Sequence, residues 1–217
     1  MNKQVQVGHT LAIMGASGHG KVVAEAAMAA GWAAVEFYDR AWPDKQQVGR
    51  WAIMGDDAAL LSALGRLDGV VVAIGNNQIR LGLLKQLHQM GAKVVSILHP
   101  MACISGSAAV GAGSVALAGA VVNADAVIGS GAILNTACSV DHDCVLGDAV
   151  HISPGAHLAG DVHVGDRSWI GIGASVRQGV RIGSGVIVGV GAAVVSDVAD
   201  DLTAVGVPAR PMLPEGG

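Results

Sequence analysis

The sequence has 217 residues, a net charge of −4 and 13 Lys and Arg scattered along its length, so it offers no basic stripe for nucleic acid or an anionic membrane. Its apolar content of 52% includes one Phe and one Tyr against 32 Gly, which indicates a core too narrow for aromatic rings. The three cysteines form no C-x-x-C pair, and neither an export signal nor a membrane span is visible, so we expect a cytoplasmic protein.

The first 97 residues alternate predicted strands with predicted helices. We expect strands at residues 10–14, 35–39, 70–74 and 93–97, and helices at residues 21–30 and 78–90. This alternation predicts a small parallel sheet of Rossmann character in a domain that spans residues 1–97.

A glycine-rich loop, GASGHGK at residues 15–21, joins the first strand to the first helix. Backbone N–H groups at a helix N-terminus suit a phosphate group. As a nucleoside-triphosphate loop it has Val22 where Ser or Thr should bind magnesium, which argues against an NTPase. The glycine order and Asp39 fit a dinucleotide-binding loop. A nucleotide sugar would use the same groups, and a tight turn that binds no ligand is the remaining alternative. A second turn, at residues 75–80, follows a buried strand at the same edge of the sheet.

From residue 98 onward, every sixth residue is aliphatic. The positions from Leu98 to Val194 number 17, of which 16 are Val, Ile or Leu, and Ala116 is the exception. A period of six fits neither an amphipathic helix nor a long half-buried strand, but it fits short strands joined by turns. Three such hexads close a triangular coil of 18 residues, and Cys138 and Cys144 fill small inward positions. The repeat predicts a parallel β-helix domain at residues 98–217.

Five motifs stand in a fixed order along the chain: GASGHGKVV, AIGNNQIR, the unbroken hexads, VDHD and GVPARPM. Over residues 10–212 this combination resembles the PglD/NeuD group of sugar acyltransferases, and within it the bacillosamine-pathway N-acetyltransferases. The resemblance implies that the N-terminal domain binds a nucleotide sugar and that a left-handed β-helix performs the catalysis. It also implies a homotrimer with acetyl-CoA between neighbouring β-helices, and acetylation of the 4-amino group of a UDP-linked 4-amino-4,6-dideoxy sugar.

The resemblance also implies roles for single residues. Those expected to contact the nucleotide sugar are Ser17, Gly18, His19, Asp39, Arg40, Gly75 and Gln78. Those expected along the acetyl-CoA groove are His151, Ile172, Gly189 and Val190. His142 would be the general base, with Asp143 beside it. The family motif after the second strand is often Asp-Asp, whereas this chain has Asp39-Arg40. This departure bears on which nucleobase the nucleotide sugar carries.

Chemical reasoning selects His142 independently of the resemblance. Acetyl transfer to an amine needs a base, because a sugar ammonium cannot attack a thioester until it has lost a proton, and a histidine near neutrality can take that proton. His142 is flanked by Asp141 and Asp143, and its neighbours one coil away are Ala124 and Gly160. Small residues above and below would leave a notch through which a substrate reaches the ring.

The remaining histidines of the repeat are less suited to catalysis. His151, His157 and His163 occupy the same hexad position in succession, so we expect them on three different faces. We expect His157 and His163 to be solvated, and His151 to stack under Trp169. His151 or a backbone N–H group would then stabilise the oxyanion of the tetrahedral intermediate. The spacing H-x-x-x-x-H of the zinc-dependent γ-class carbonic anhydrases is missing, so we predict no metal, and a serine hydrolase would need a G-x-S-x-G that the chain lacks.

Three functions therefore remain. The first is an N-acetyltransferase with acetyl-CoA as cosubstrate, in which the sugar amine attacks the thioester directly. The second is a sugar O-acetyltransferase of the sialic-acid type, and the third is a non-catalytic nucleotide-binding β-helix protein. Thioester cleavage that depends on an amino sugar would separate the three.

Overall fold

A computed structural model describes residues 8–212. Residues 1–7 and 213–217, which the sequence analysis counts within the two predicted domains, lie outside the described residues. An N-terminal α/β unit is followed by a left-handed parallel β-helix. No helix among the described residues has both the length and the apolar composition needed to cross a bilayer.

The N-terminal unit is a five-stranded sheet with the order β3-β4-β2-β1-β5, in which only β3 is antiparallel to its neighbour. Its elements, in chain order, are β1 (Thr10–Met14), α1 (Gly18–Ala29), β2 (Ala34–Tyr38), β3 (Gln47–Val48), β4 (Trp51–Gly55), α2 (Asp57–Ala63), a 3₁₀ turn (Leu64–Arg66), β5 (Gly69–Val72) and α3 (Asn77–Gln89). Central β1 has β2 on one side and β5 on the other.

Two parts of this unit differ from the sequence-based prediction. The elements β3, β4 and α2 were not predicted, and α1 begins at Gly18 rather than at residue 21. The predicted strand at residues 93–97 is wrong. Val94 makes only an isolated bridge to Val70, whereas Ile97 turns away from the sheet and donates its N–H to Ser114. The apolar run at 93–97 reads as a strand, but its last residues pair with the β-helix instead.

The β-helix consists of short parallel strands on three faces, which we number in the order that the chain visits them. The first face contains Ile97–Leu98, Val115–Ala116, Ile133–Leu134, His151–Ile152, Trp169–Ile170, Ile187–Val188, Thr203–Val205 and the antiparallel Arg210–Pro211. The second face contains Cys103–Ile104, Val121–Val122, Ser139–Val140, His157–Leu158, Ser175–Val176 and Ala193–Val194. The third face contains Ala109–Val110, Val127–Ile128, Val145–Leu146, His163–Val164 and Arg181–Ile182.

The hexad positions form the core of the prism, as the repeat predicts. From Ile97 to Val194 each strand pairs with the strand 18 residues away, and the aliphatic residues stack in a continuous column with Cys138 and Cys144 between them. Leu98 is exposed because it lies in the first coil, where only one side has a neighbour. The confirmed period also explains the scarcity of aromatic residues, since no ring fits among stacked Val, Ile, Leu and Ala.

The N-terminal unit packs on the first face of the β-helix. Ile97, Val115 and Ile133 share one buried cluster with Leu11 and Val23 of the α/β unit. At the corner between the third and first faces, Leu84 of α3 approaches Gly131. A Cβ added at Gly131 would lie 2.2 Å from Leu84 Cδ1. Gly131 has φ +66, a conformation that favours glycine for a second, independent reason.

Candidate active site

Three loops meet at the carboxyl edge of the N-terminal sheet. They follow β1, β2 and β5, which are adjacent, and they carry all seven residues predicted to bind the nucleotide sugar. The connections from β1 and β5 leave in opposite directions, and open α/β sheets bind ligands at such a switch point. Ser17 is the N-cap of α1, and its exposed side chain caps no helix N–H, so both it and Gly18 stand open at the helix N-terminus.

Asp39 and Arg40 line a cavity of about 180 Å³ together with Gly15 and Ile74. The Asp39 carboxylate accepts the N–H of Ala16 at 2.6 Å and therefore also fixes the glycine-rich loop. Arg40 donates its Nε–H to Asp57 at 2.7 Å, and its side chain is otherwise 71% exposed. Asp57 lines the same cavity, which therefore has the Arg40 guanidinium and a carboxylate side by side in its lining.

Lys45 is a residue that the sequence analysis missed. Its Nζ donates to the Ala16 carbonyl at 2.5 Å, which places a cation beside the glycine-rich loop. The segment between β2 and β3 carries no motif, and only the fold brings Lys45 to this position. The charge lies where the loop and the α1 N-terminus would receive a phosphate.

His19 and His151 come from different units but lie near the same buried cation, Arg80. Burial lowers the pKa of His19 to about 4 and that of His151 to about 3, and the charge of Arg80 acts in the same direction. The amide of Asn135 lies 3.2 Å from His151 Nε2, which leaves the ring proton on Nδ1. His151 Nδ1 and His19 Nε2 are buried and have no hydrogen-bond partner in the described residues.

These two histidines predict a loss of stability in acid. Because their folded pKa values lie below the ordinary value of about 6.5, the unfolded chain binds more protons as the pH falls toward about 4. Between about pH 6 and its folded pKa, each should reduce the free energy of unfolding by about 1.4 kcal/mol for every pH unit. Denaturant titrations of wild type and His151→Gln at several pH values test this. An equal pH slope in the two proteins would contradict the assignment of His151.

His142 lies in the turn between the second and third faces, where the sequence analysis places the base. Its Nδ1 is 2.7 Å from Asp143 Oδ2. The ring lies over Gly160, where an added Cβ would be 2.5 Å from both Cε1 and Nε2. Asp143 has φ +61, a conformation that Asp tolerates better than most residues, and this turn directs its carboxylate toward the histidine. The ring therefore packs over the backbone of Gly160, one of the two small neighbours that the sequence analysis names.

The electrostatic surroundings of His142 are acidic. The hydrogen bond to Asp143 raises the pKa of His142 above its ordinary value, and the charges of Asp141 and Asp161 act in the same direction. His142 is exposed, with 65% of its side chain accessible. The site combines an accessible base of increased basicity with a local negative potential.

The residues predicted to line the acetyl-CoA groove lie on the first face and on the corner that follows it. His151 stacks on Trp169, with ring centroids 5.1 Å apart and planes within 11°. Ile172 and Val190 occupy equivalent corner positions one coil apart and are 54% and 77% exposed, an unusual exposure for such apolar side chains. Gly189 precedes Val190 and packs against Val205. Trp169 also lines a cavity of about 450 Å³ together with Gln78. This cavity therefore lies between the first face and the segment after β5, which carries Gly75 and Gln78.

The predicted site residues do not all come together within the single chain. The nucleotide-sugar loops, His151 and Trp169 all lie on the side of the first face, whereas His142 lies at the opposite corner, between the second and third faces. Within residues 8–212 no group of three or more His, Cys, Asp or Glu is arranged to hold a metal ion. The described chain thus separates the candidate acid–base site from the candidate nucleotide-binding edge.

Comparisons with known proteins find relatives of this chain. The family model of the PglD N-terminal domain matches residues 10–87. The acetyltransferase domain of PglB from Neisseria gonorrhoeae is 43% identical and superimposes with a TM-score of 0.89 over 94% of this chain and 100% of that chain. The same domain has been solved in complex with acetyl coenzyme A. A search of curated proteins found no significant match.

A second similar structure is a histidine-to-asparagine variant of perosamine N-acetyltransferase from Caulobacter crescentus, in complex with CoA and GDP-perosamine. It is 40% identical, with a TM-score of 0.91 over 96% of this chain and 98% of that chain. WeeI from Acinetobacter baumannii is 27% identical, with a TM-score of 0.82, and is matched over 94% of this chain and its own full length. With these relatives and this site, the chain belongs to the amino-sugar acetyltransferases of the hexapeptide-repeat superfamily, with a PglD-type N-terminal domain.

Proposed function

We propose that the protein transfers an acetyl group from acetyl-CoA to the 4-amino group of a nucleotide-linked 4-amino-4,6-dideoxy sugar. The observation that carries the proposal is the His142–Asp143 pair, held at 2.7 Å over the bare backbone of Gly160. It is the arrangement that an amine acceptor needs, because the base is basic, accessible and oriented by a carboxylate. Residues 1–97 would bind the nucleotide sugar and residues 98–217 would carry the transfer.

In the proposed mechanism, the acceptor ammonium first loses one proton to solvent, and His142 removes a second proton from the neutral amine as its nitrogen attacks the thioester carbonyl. Asp143 stabilises the imidazolium that forms and holds the proton on Nδ1 of the neutral ring, so that Nε2 faces the substrate. Backbone N–H groups of the first face would be available to the tetrahedral oxyanion, whereas the Nδ1–H of His151 is buried in the single chain. Collapse of the intermediate breaks the C–S bond, and the thiolate of CoA takes the proton from His142, so no covalent enzyme intermediate is required.

The charge around His142 favours an amine over the sialic-acid type of acceptor. Asp141, Asp143 and Asp161 place negative potential at the ring. This potential attracts a sugar ammonium and repels the carboxylate of a sialic acid. N-acetylation is therefore the better supported of the two transfer reactions.

The base of the nucleotide has two candidates. The family resemblance favours UDP, which is therefore the first candidate. The Arg40–Asp57 pair supports GDP as the second, since the two Nη groups of Arg40 form no hydrogen bond in the described residues and a guanidinium fork can donate to O6 and N7 of guanine. The perosamine enzyme was solved with a GDP-linked sugar.

A panel of UDP- and GDP-linked 4-amino sugars, incubated with acetyl-CoA, tests the proposal through the release of CoA thiol. We expect thiol release only with an amino sugar, and a strong preference for one of the two nucleotides. Nucleotide-linked 4-hydroxy sugars are the matched controls. Thiol release with hydroxy but not amino sugars would establish the O-acetyltransferase, and nucleotide binding without any release would support the non-catalytic alternative.

The pH profile should report the Asp143–His142 bond. Since His142 acts as a base, activity is lost as the pH falls through its raised pKa. Asp143→Asn should bring that pKa back toward its ordinary value, so the acid limb of kcat/KM should move to lower pH while the plateau falls about tenfold to a hundredfold. Asp125→Asn is the matched control, because Asp125 occupies the same turn position one coil away, with φ +60. An acid limb that stays in place in Asp143→Asn would contradict the pairing.

We propose a homotrimer that completes the site between copies. The separation of His142 from the first face supports this, as does the exposed apolar strip of Val127 and Val145 on the third face. Sedimentation should show three chains per particle, and a monomer at micromolar concentration would contradict it. Coexpression of His142→Ala with Asp39→Ala should restore about a quarter of wild-type activity, since one in four random interfaces combines the two intact halves.

We place the reaction in the cytoplasm, consistent with cysteines that form no disulfide.

A further inference from the structure

Three carbonyl groups, stacked one coil apart, mark the place where α3 meets the β-helix. Gly131, Ala149 and Arg167 occupy the same position of the corner between the third and first faces, and each has positive φ. Arg80 donates Nε–H to Gly131 O at 2.7 Å and Nη2–H to Ala149 O at 2.8 Å. Asn77 donates Nδ2–H to Arg167 O at 2.9 Å. One turn of α3 is thereby bonded to three successive coils.

The same guanidinium also holds the loop that follows β5. Its Nη1 donates to Ile74 O at 2.9 Å and to Gly75 O at 3.2 Å, and its Nη2 donates to Asn77 Oδ1 at 2.9 Å. Gly75 belongs to the proposed nucleotide-sugar loop, and Ala149 lies two residues before His151. Arg80 is therefore a direct link between the loop proposed to hold the acceptor and the strand that carries His151.

Arg80 is fully buried, and none of its five acceptors is a carboxylate. Burial lowers its pKa to about 10, so it remains a cation at neutral pH. Burying a charge is costly, and an apolar side chain would often join two surfaces at least as well. A planar fork with five fixed donors instead specifies one relative position of the groups that it binds.

We propose that Arg80 and Asn77 are positioning residues, which set the height and rotation of the nucleotide-sugar loop relative to the His151 strand so that the acceptor nitrogen meets the thioester. This inference rests on the proposed function. Its consequence is that weakening the link should affect the meeting of the two substrates more than the binding of either one.

The test compares Arg80→Lys and Asn77→Asp with wild type. Lysine keeps the charge but has three donors, and aspartate keeps the bond to Arg80 but cannot donate to Arg167 O. We expect kcat to fall about tenfold to a hundredfold in both, because small misplacements of reacting groups have such effects. Calorimetric dissociation constants for acetyl-CoA and for the nucleotide sugar should each change by less than about threefold. Gln89→Ala, at the exposed end of α3, is the control and should match wild type.

Hydrogen exchange provides a measurement that needs no substrate. In Arg80→Lys, amides at residues 74–78 and 149–152 should exchange faster together, whereas those at residues 103–122 should not change. A folded Arg80→Lys protein with wild-type kcat, or exchange that rises in one segment alone, would overturn the inference. If wild type acetylates no amino sugar, the proposed function fails, and the exchange data still decide whether Arg80 couples the two segments.

Discussion

His142→Ala should lower kcat by about 10² to 10⁴, the usual contribution of a general base. The KM values for acetyl-CoA and for the nucleotide sugar should change little, because the proton transfer stabilises the transition state and not the ground state. The mutation should leave the fold intact, since the ring is exposed and outside the prism core. Steady-state kinetics with both substrates varied, at about pH 7.5, measure the effect.

His157→Ala is the matched control for this variant. His157 lies on the second face one coil from Ser139 and is exposed, and its ring Nδ1 lies 2.9 Å from the Ser139 hydroxyl. It should retain nearly full activity. If His142→Ala keeps more than about a third of wild-type kcat, or loses activity only through KM, another group must be the base.

Gly160→Ala should disable the site without replacing either of the proposed catalytic residues. The new methyl group would lie 2.5 Å from Cε1 and Nε2 of His142, so the ring must move. The φ of Gly160 lies outside the left-handed region, and the atoms in the way belong to the end of an exposed side chain, so the backbone should accept alanine. We expect kcat to fall about tenfold to a hundredfold, because the displaced ring no longer faces the acceptor. The melting temperature should change little.

Gly106→Ala is the control for this second variant. An added Cβ at Gly106 meets no atom within 4 Å, and its φ is also outside the left-handed region. Crystal structures or histidine NMR signals of both variants would show whether the ring moved. A Gly160→Ala enzyme with wild-type kcat and pH profile would mean that the notch over Gly160 is not where the acceptor binds.

The architecture of residues 98 onward could be predicted from the sequence because the β-helix is defined by a local period. Every coil repeats the same packing problem, so the inward position must be aliphatic in nearly every hexad. The same period places Gly160 next to His142 and His151 next to Trp169, which the structure shows. The order of strands and glycine-rich loops likewise indicates the edge of the sheet at which a nucleotide can bind.

The contacts between the two units were decided only by the tertiary structure. Arg80 and Lys45 carry no local sign of their roles, because Arg80 becomes buried only when residues 51 and 69 positions away pack over it. The run at 93–97 has the composition of a strand in either unit, and its partner is chosen by which backbone lies within reach. The separation of His142 from the first face follows from the number of hexads per turn together with the face on which the α/β unit packs. Local periodicity thus determined the scaffold and the position of the proposed base, whereas long-range packing determined which residues join the proposed nucleotide-sugar loop to that scaffold.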